Sequence, residues 1–234
     1  MKAKNRPFQF KQFSIQQDQT AMKVGTDGVL LGAWCNCDKA EKVLDIGCGT
    51  GLLSLMLAQR SEAKFTAVEI DSAAAKQAEE NIANSPWAKR IELIKGDFLK
   101  LLLAEKYDLI VCNPPYFGSK QKRNAREQAR QNISLPYPIL FHKAAQILNP
   151  NGSFCLISPA DQEETLIDLG EQNSLFPKRK LEVKGNKQAP VKRLLFEFTF
   201  KQESCKQESL VIEKKRNEYT DEYAKLLADY LLIF

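Results

Sequence analysis

The chain has 234 residues, of which 44% are hydrophobic, enough for one well-buried domain and cramped for a second full one. Lys and Arg exceed Asp and Glu by 34 − 29 = 5, and charged residues make up 27%, so the balance permits an acidic partner without requiring one. No apolar run reaches the ~18 residues of a transmembrane helix, and the basic N-terminus "MKAKNRPFQF" lacks the apolar region of a signal peptide. No membrane partner is expected, and the expected location is cytoplasmic.

In chain order, "FQFKQFSIQQ" comes first, with Phe8, Phe10, Phe13 and Ile15 in broken alternation, and reads as a hairpin. "GVLLGAW" follows as a helix that Thr26 or Asp27 would cap. From about residue 42, apolar β-branched runs alternate with helical patterns. "KVLDIG" predicts a strand, "GLLSLMLAQR" a helix and "KFTAVEID" a strand. "SAAAKQAEENIANS" predicts a helix with Ala74, Ala78 and Ile82 on one face and its start at Asp71–Ser72. Then come "RIELIKGD" (strand), "FLKLLLAE" (short helix), "YDLIVCN" (strand), "ILFHKAAQIL" (helix), "GSFCLISP" (strand) and "QEETLIDLGEQ" (helix). Repeated βα units with short links predict an α/β fold, a doubly wound parallel sheet with helices on both faces. The tail reads as strands "RKLEVKG", "KRLLFEFTFK" and "ESLVIEK" and a helix "TDEYAKLLADYLL". No internal repeat or low-complexity linker divides the chain, so a single domain over residues 1–234 is expected, with a core from 42 to 234 and an extension over 1–41.

The six cysteines are Cys35, Cys37, Cys48, Cys112, Cys155 and Cys205. Only "CNC" pairs them closely, and no histidine cluster completes a metal site, so reduced, mostly buried thiols and no metal are expected. The sole histidine, His142, falls in a helical pattern and reads as a packed helix residue. Hydrolases of the Ser/His or Cys/His kind need a histidine base, so that class is disfavoured.

"VLDIGCGTG" follows the first core strand and opens the first core helix, with Gly47, Gly49 and Gly51 spaced GxGxG. Glycines there let the backbone turn tightly and approach a ligand. The dinucleotide fingerprint GxGxxG and the Walker A pattern both fail at their last positions. Asp45, just before the glycines, suits a ligand with a positive end better than a pyrophosphate. Glu69 ends the next strand, where open α/β sheets bind ligands, and can accept both hydroxyls of a ribose. Asp97 ends the third strand in "KGDF" and can accept from an adenine amino group while Phe98 packs near the ring. Asn113 ends the fourth.

"VLDIGCGTG", "AVEID", "KGDF" and "NPPY" resemble the successive motifs of class I S-adenosylmethionine-dependent methyltransferases. The resemblance implies a Rossmann-like, seven-stranded sheet whose final strand is antiparallel, and S-adenosyl-L-methionine as cofactor, leaving as S-adenosyl-L-homocysteine. It implies Asp45 near the methionine part, Glu69 with Ile70 on the ribose side, and Asp97 with Phe98 at the adenine. Cys48 and Thr50 belong to the implied glycine loop. The segment "MKVGTDG" is implied to fold over the methionine end, with Lys23 or Thr26 taking its carboxylate.

In "NPPY", the Asn113 side-chain oxygen and the Pro114 carbonyl can each accept one N–H of a planar NH₂ group. That aims the nitrogen and stabilises positive charge as it develops. The prolines stiffen the turn, and Tyr116 offers a stacking face. The motif specifies a planar nitrogen, not a base: it resembles both N6-adenine and glutamine N5-methyltransferases. "FKQFSIQQDQTAMKVGTDGVLLGAW", "NSPWAKRI" and "REQAR" closely resemble the bacterial tRNA1(Val) adenine-37 N6-methyltransferases, which implies a tRNA partner. Lys120, Lys122, Arg123, Arg126 and Arg130 stand against only Glu127 after the turn, and seven cations between Lys178 and Arg193 stand against Glu182. Such clusters supply phosphate contacts. A methyltransferase for a protein glutamine or another RNA, and an inactive RNA-binding module, remain alternatives, the last disfavoured by the intact motif.

Overall fold

Strands with apolar residues on both sides must be covered on both faces, which a parallel sheet with βα crossovers does. The computed structural model describes residues 6–20, 22–115 and 135–234. Tyr116 and the cations Lys120, Lys122, Arg123, Arg126 and Arg130 lie outside the described residues.

The elements are β1 (Phe8–Gln9), β2 (Ser14–Ile15), α1 (Thr26–Trp34), β3 (Lys42–Ile46), α2 (Leu52–Ala58), β4 (Lys64–Glu69), α3 (Ser72–Ala83), β5 (Ile91–Lys95) and β6 (Tyr107–Cys112). There follow α4 (Tyr137–Ile147), β7 (Leu148–Pro159), α5 (Glu163–Gln172), β8 (Phe176–Lys184), β9 (Val191–Thr199), β10 (Lys206–Val211), β11 (Glu213–Lys215), β12 (Glu218–Tyr219) and α6 (Asp221–Leu227). The central sheet runs β5-β4-β3-β6-β7-β9-β8-β10. All pairings are parallel except those of β9, which is antiparallel to both β7 and β8.

Period-two alternation divides the core. Val43 of β3 and Cys155 and Ile157 of β7 join α1, α2 and the N-terminal hairpin on one face. Leu44, Ile46, Phe154 and Leu156 join α4 and α5 on the other. Phe10, Phe13 and Ile15 are buried in the first of these cores, so the β1–β2 hairpin is packed onto the helices. Strand order reverses between β3 and β6, and a crevice at that switch point, outside the carboxyl ends of the strands, is the usual ligand site of such sheets.

Four expectations are corrected. The sheet has eight strands among the described residues, because β10 adds in parallel to the free edge of β8. "ESLVIEK" is legible as a strand, but nothing in a short, mostly exposed segment specifies which edge it joins. "FLKLLLAE" is not helical: residues 98–100 form a turn and residues 101–104 are irregular. Leu101 and Leu103 pack on the core while Leu102 is fully exposed, an alternation no helix face satisfies. Helix α1 is capped by Gly25 with no side-chain cap bond, not by Thr26 or Asp27, and Asp27 instead pairs with Arg193 at 2.8 Å. His142 lies on α4 but is exposed, beside Gln146. Asp71 does cap α3, accepting from the Ala74 N–H at 2.8 Å. Cys35, Cys37, Cys48, Cys112 and Cys155 are buried free thiols. Among the described residues no helix is long and apolar enough to cross a membrane, and no cluster of His, Cys, Asp and Glu is suited to a metal.

Candidate active site

The three glycines of the loop after β3 have φ of 68°, 57° and 82°, a left-handed region closed to most side chains. A Cβ on Gly47 or Gly49 would meet nothing within 4 Å, whereas one on Gly51 would face Ile82 and Ala78 of α3. Gly47 and Gly49 therefore open onto free space, and Gly51 sits where α2 packs on α3. The loop is tied to the next strand: the N–H groups of Gly47 and Cys48 donate to the Val68 carbonyl at 2.9 and 3.0 Å, and that of Gly49 to Glu69 Oε2 at 2.8 Å.

Glu69 is 7% exposed. Its Oε1 accepts from the Asp71 N–H at 2.8 Å. Burial pushes its carboxyl upward against the pull of these backbone donors. A carboxylate has about four lone-pair sites, so Glu69 can accept hydroxyls beside its backbone donors. Asp97 spends Oδ1 on the Leu99 N–H at 2.9 Å, and Phe98 is buried beside it.

These groups surround one open cleft of about 1310 Å³, mouth included, lined by Lys23, Gly47, Cys48, Gly49, Thr50, Glu69, Ile70, Asp97, Phe98, Asn113 and Pro114. Three sequence candidates lie outside that wall. Thr26 is exposed on α1, and Gly51 belongs to the helix junction. Asp45 is wholly buried beneath the loop, its Oδ2 accepting from the Ser54 N–H at 3.1 Å and hydroxyl at 2.8 Å. It holds the first turn of α2. Burial outweighs these bonds and, with the nearby Glu69 charge, lifts its carboxyl to about 7.

Sequence reasoning missed four contributors. Gly28 of α1 lines the cleft, and a Cβ there would sit 3.5 Å from Asn113 Nδ2 and 2.9 Å from Leu52 Cδ2. Asn81 of α3, 2% exposed, pairs with both the N–H and the carbonyl of Gln16 at 2.8 and 3.0 Å, and donates to the Thr50 carbonyl at 3.0 Å. Gln77, one turn earlier, accepts from the Gln19 N–H at 2.8 Å. Together they fasten the strap whose Thr20, Met22, Lys23 and Val24 line the cleft. The available signal was two amides at helical spacing beside the apolar stripe of α3. Lys143 of α4 donates to the carbonyls of Phe98, Leu99 and Leu101 at 2.6, 2.9 and 3.1 Å, and lies 4.9 Å from the Phe98 ring centre. It holds the turn that "FLKLLLAE" makes in place of a helix.

The donor set fits an adenosyl sulfonium. The buried Glu69 carboxylate suits a diol, the two open glycines let a ligand meet backbone, and Asp97 with Phe98 offers an acceptor edge and an apolar wall. Asn113 and Pro114 stand on the β6 side of the same cleft, at the end of the strand next to β3.

The family model "Methyltransferase small domain" matches residues 24–178. A tRNA1(Val) (adenine(37)-N6)-methyltransferase of Bacteroides fragilis is 46% identical over 230 residues, covering 96% of this chain and 97% of the relative. One of Parabacteroides distasonis is 43% identical over 233 residues, covering 97% and 98%. Among solved structures, a predicted O-methyltransferase from Agrobacterium tumefaciens superposes with a TM-score of 0.69 at 20% identity, covering 87% of this chain and 96% of that one, and shows the fold. The chain belongs to the methyltransferase small-domain family, alongside the tRNA1(Val) (adenine(37)-N6)-methyltransferases to which it is similar over nearly its whole length.

Proposed function

We infer that this protein transfers the methyl group of S-adenosylmethionine to the N6 amino group of adenine 37 in tRNA1(Val), as a single catalytic domain in the cytoplasm. The observation that supports the reading most is the meeting of the glycine loop, Glu69 and the Asn113–Pro114 turn in one cleft. When bound, the sulfonium supplies an already activated methyl group. Glu69 accepts the ribose hydroxyls, and Asp97 and Phe98 receive the adenine. The strap that carries Thr20, Met22, Lys23 and Val24 covers the amino-acid end, where Lys23 attracts a carboxylate.

An exocyclic amino group is a weak nucleophile because its lone pair is delocalised into the ring. The Asn113 side-chain oxygen and the Pro114 carbonyl accept its two N–H bonds, aim the lone pair and stabilise the charge that develops on nitrogen. The proton leaves to water after transfer, so no strong base is needed. The target base must leave its stack to reach Asn113. Tyr116, two residues beyond Pro114, is its proposed stacking partner, and Lys120, Lys122, Arg123, Arg126 and Arg130 are proposed phosphate contacts.

The test is nucleoside mass spectrometry of tRNA1(Val) transcript after incubation with the wild type and Asn113→Ala. The expected result is N6-methyladenosine at position 37 with the wild type, and loss of product with cofactor affinity retained in the variant. Near-normal single-turnover rates in the variant would defeat the Asn113 role. A protein glutamine methylated in place of the transcript would overturn the substrate.

A further inference from the structure

The seven cations between Lys178 and Arg193 do not form one patch. Lys178 and Arg179 pair with Glu197 at 3.1 and 2.9 Å. Arg179 also lies 3.9 Å from the Trp34 ring centre. Lys180 is held between Glu163 and Glu182 at 2.6 and 3.2 Å, and Arg193 pairs with Asp27 at 2.8 Å. These four tie the strands to their neighbours. Lys184, Lys187 and Lys192 have no ion-pair partner among the described residues, and all three lie in the β8–β9 hairpin that spans residues 184–192 without a carboxylate.

Topology fixes where that hairpin points. β6 and β7 run parallel, and β9 pairs antiparallel with β7, placing Arg193 opposite Pro159 at the strand's carboxyl end. The hairpin therefore rises from the same sheet edge as Asn113, with β9 two strands from β6, about 10 Å sideways at the usual strand spacing. The Arg193–Asp27 pair fixes its base to the first turn of α1, and the next residue, Gly28, borders Asn113. Lys192 is the extra residue where the register shifts. Lys184 faces Val191 in the register, and Val191 packs on the core beneath α4 and α5, so Lys184 falls on the face those helices cover. That is the side away from α1, α2 and the strap. The tip is a built turn: the Gln188 and Ala189 N–H groups donate to Asn186 Oδ1 at 3.0 and 2.9 Å, which leaves Lys187 exposed.

We propose that the β8–β9 hairpin is a phosphate-binding arm, with Lys184, Lys187 and Lys192 taking the backbone of the RNA strand beside the base held at Asn113. This rests on the RNA substrate proposed above. Glu69, Asp97 and the glycine loop lie on the β3–β4–β5 side of the cleft, so the RNA must enter over β6, β7 and β9. The hairpin is a cationic feature that the described residues carry on that path.

The experiment measures tRNA1(Val) affinity at several salt concentrations, with S-adenosylhomocysteine present. It compares the wild type with Lys184→Gln/Lys187→Gln/Lys192→Gln and with Lys64→Gln/Lys89→Gln/Lys106→Gln, the same charge change at the opposite end of the sheet. Each lost phosphate contact lowers the log–log slope by about 0.7–0.9. The hairpin variant is expected to lose about 2 in slope, to raise KM for tRNA, and to keep cofactor affinity and melting temperature. The control is expected to follow the wild type. Slopes that coincide for hairpin variant and wild type, or that fall equally in the control, overturn the arm. Methyl transfer by the wild type is measured first: if tRNA is methylated and the slopes coincide, the arm fails alone. If tRNA is not methylated, the substrate reading fails and the arm with it.

Discussion

Lys143→Met tests how the Asp97–Phe98 side of the cleft, the proposed adenine side, is held. The substitution keeps an unbranched stem of similar length and removes three donated bonds, to the carbonyls of Phe98, Leu99 and Leu101. Lys143 is half-buried, and the released carbonyls regain water, so each bond is weighed at the ~1 kcal/mol of an ordinary net bond rather than at the value of a buried charged one. Three such bonds amount to about 3 kcal/mol. Were all of it to fall on the ordered turn of residues 97–101, affinity would drop roughly 100-fold, at about 1.4 kcal/mol per factor of ten. Asp97 and Phe98 are only part of the cleft, so about tenfold is the expected floor. The assay is calorimetric titration with S-adenosylmethionine, S-adenosylhomocysteine and 5′-methylthioadenosine, which shares the adenine end and lacks the amino acid. The loss should be the same factor for all three, with kcat at saturating cofactor little changed. An unchanged affinity, or a loss confined to ligands with the amino-acid end, would refute the claim that Lys143 acts through the adenine turn.

Two further outcomes follow from the buried groups. Burial lifts Asp45 from 3.8 to about 7, so between those values the folded form holds a proton that the unfolded chain has lost. Its contribution to stability is full below about pH 4 and fades as pH rises through about 7. Asp45→Asn keeps an acceptor for Ser54, so its melting temperature, scanned from pH 4 to 8, should decline less than that of the wild type; parallel curves would refute this. Gly28→Ala should hold or raise the melting temperature, since alanine favours a helix by about 1 kcal/mol over glycine. It should lower kcat about tenfold or more, because the new Cβ, 2.9 Å from Leu52 Cδ2, forces that side chain to shift within the cleft wall beside the Asn113 amide; a variant as active as the wild type would show that Gly28 serves helix packing alone.

The amino-acid sequence by itself determined most of the strands and helices and which residues end the strands that border the cleft. Strand alternation and the βα rhythm are short-range properties, and GxGxG with Glu69 and Asp97 at successive strand ends follows from chain order. Those residues meet because a parallel sheet brings every strand's carboxyl end to one edge. Three features depend on contacts distant in sequence, and only the tertiary structure decided them. Asp45 has the charge to meet a ligand, yet the fold buries it under the glycine loop, where Ser54 takes it. "FLKLLLAE" has the composition of a helix, but Lys143, more than 40 residues later, captures its carbonyls as a turn. The basic run from Lys178 to Arg193 reads as one patch. Pairing with Glu197, Glu163, Glu182 and Asp27 neutralises four of its cations and leaves three on the hairpin. A charge's partner is set by which strands and helices become neighbours, and neighbours in a sheet are not neighbours in the chain.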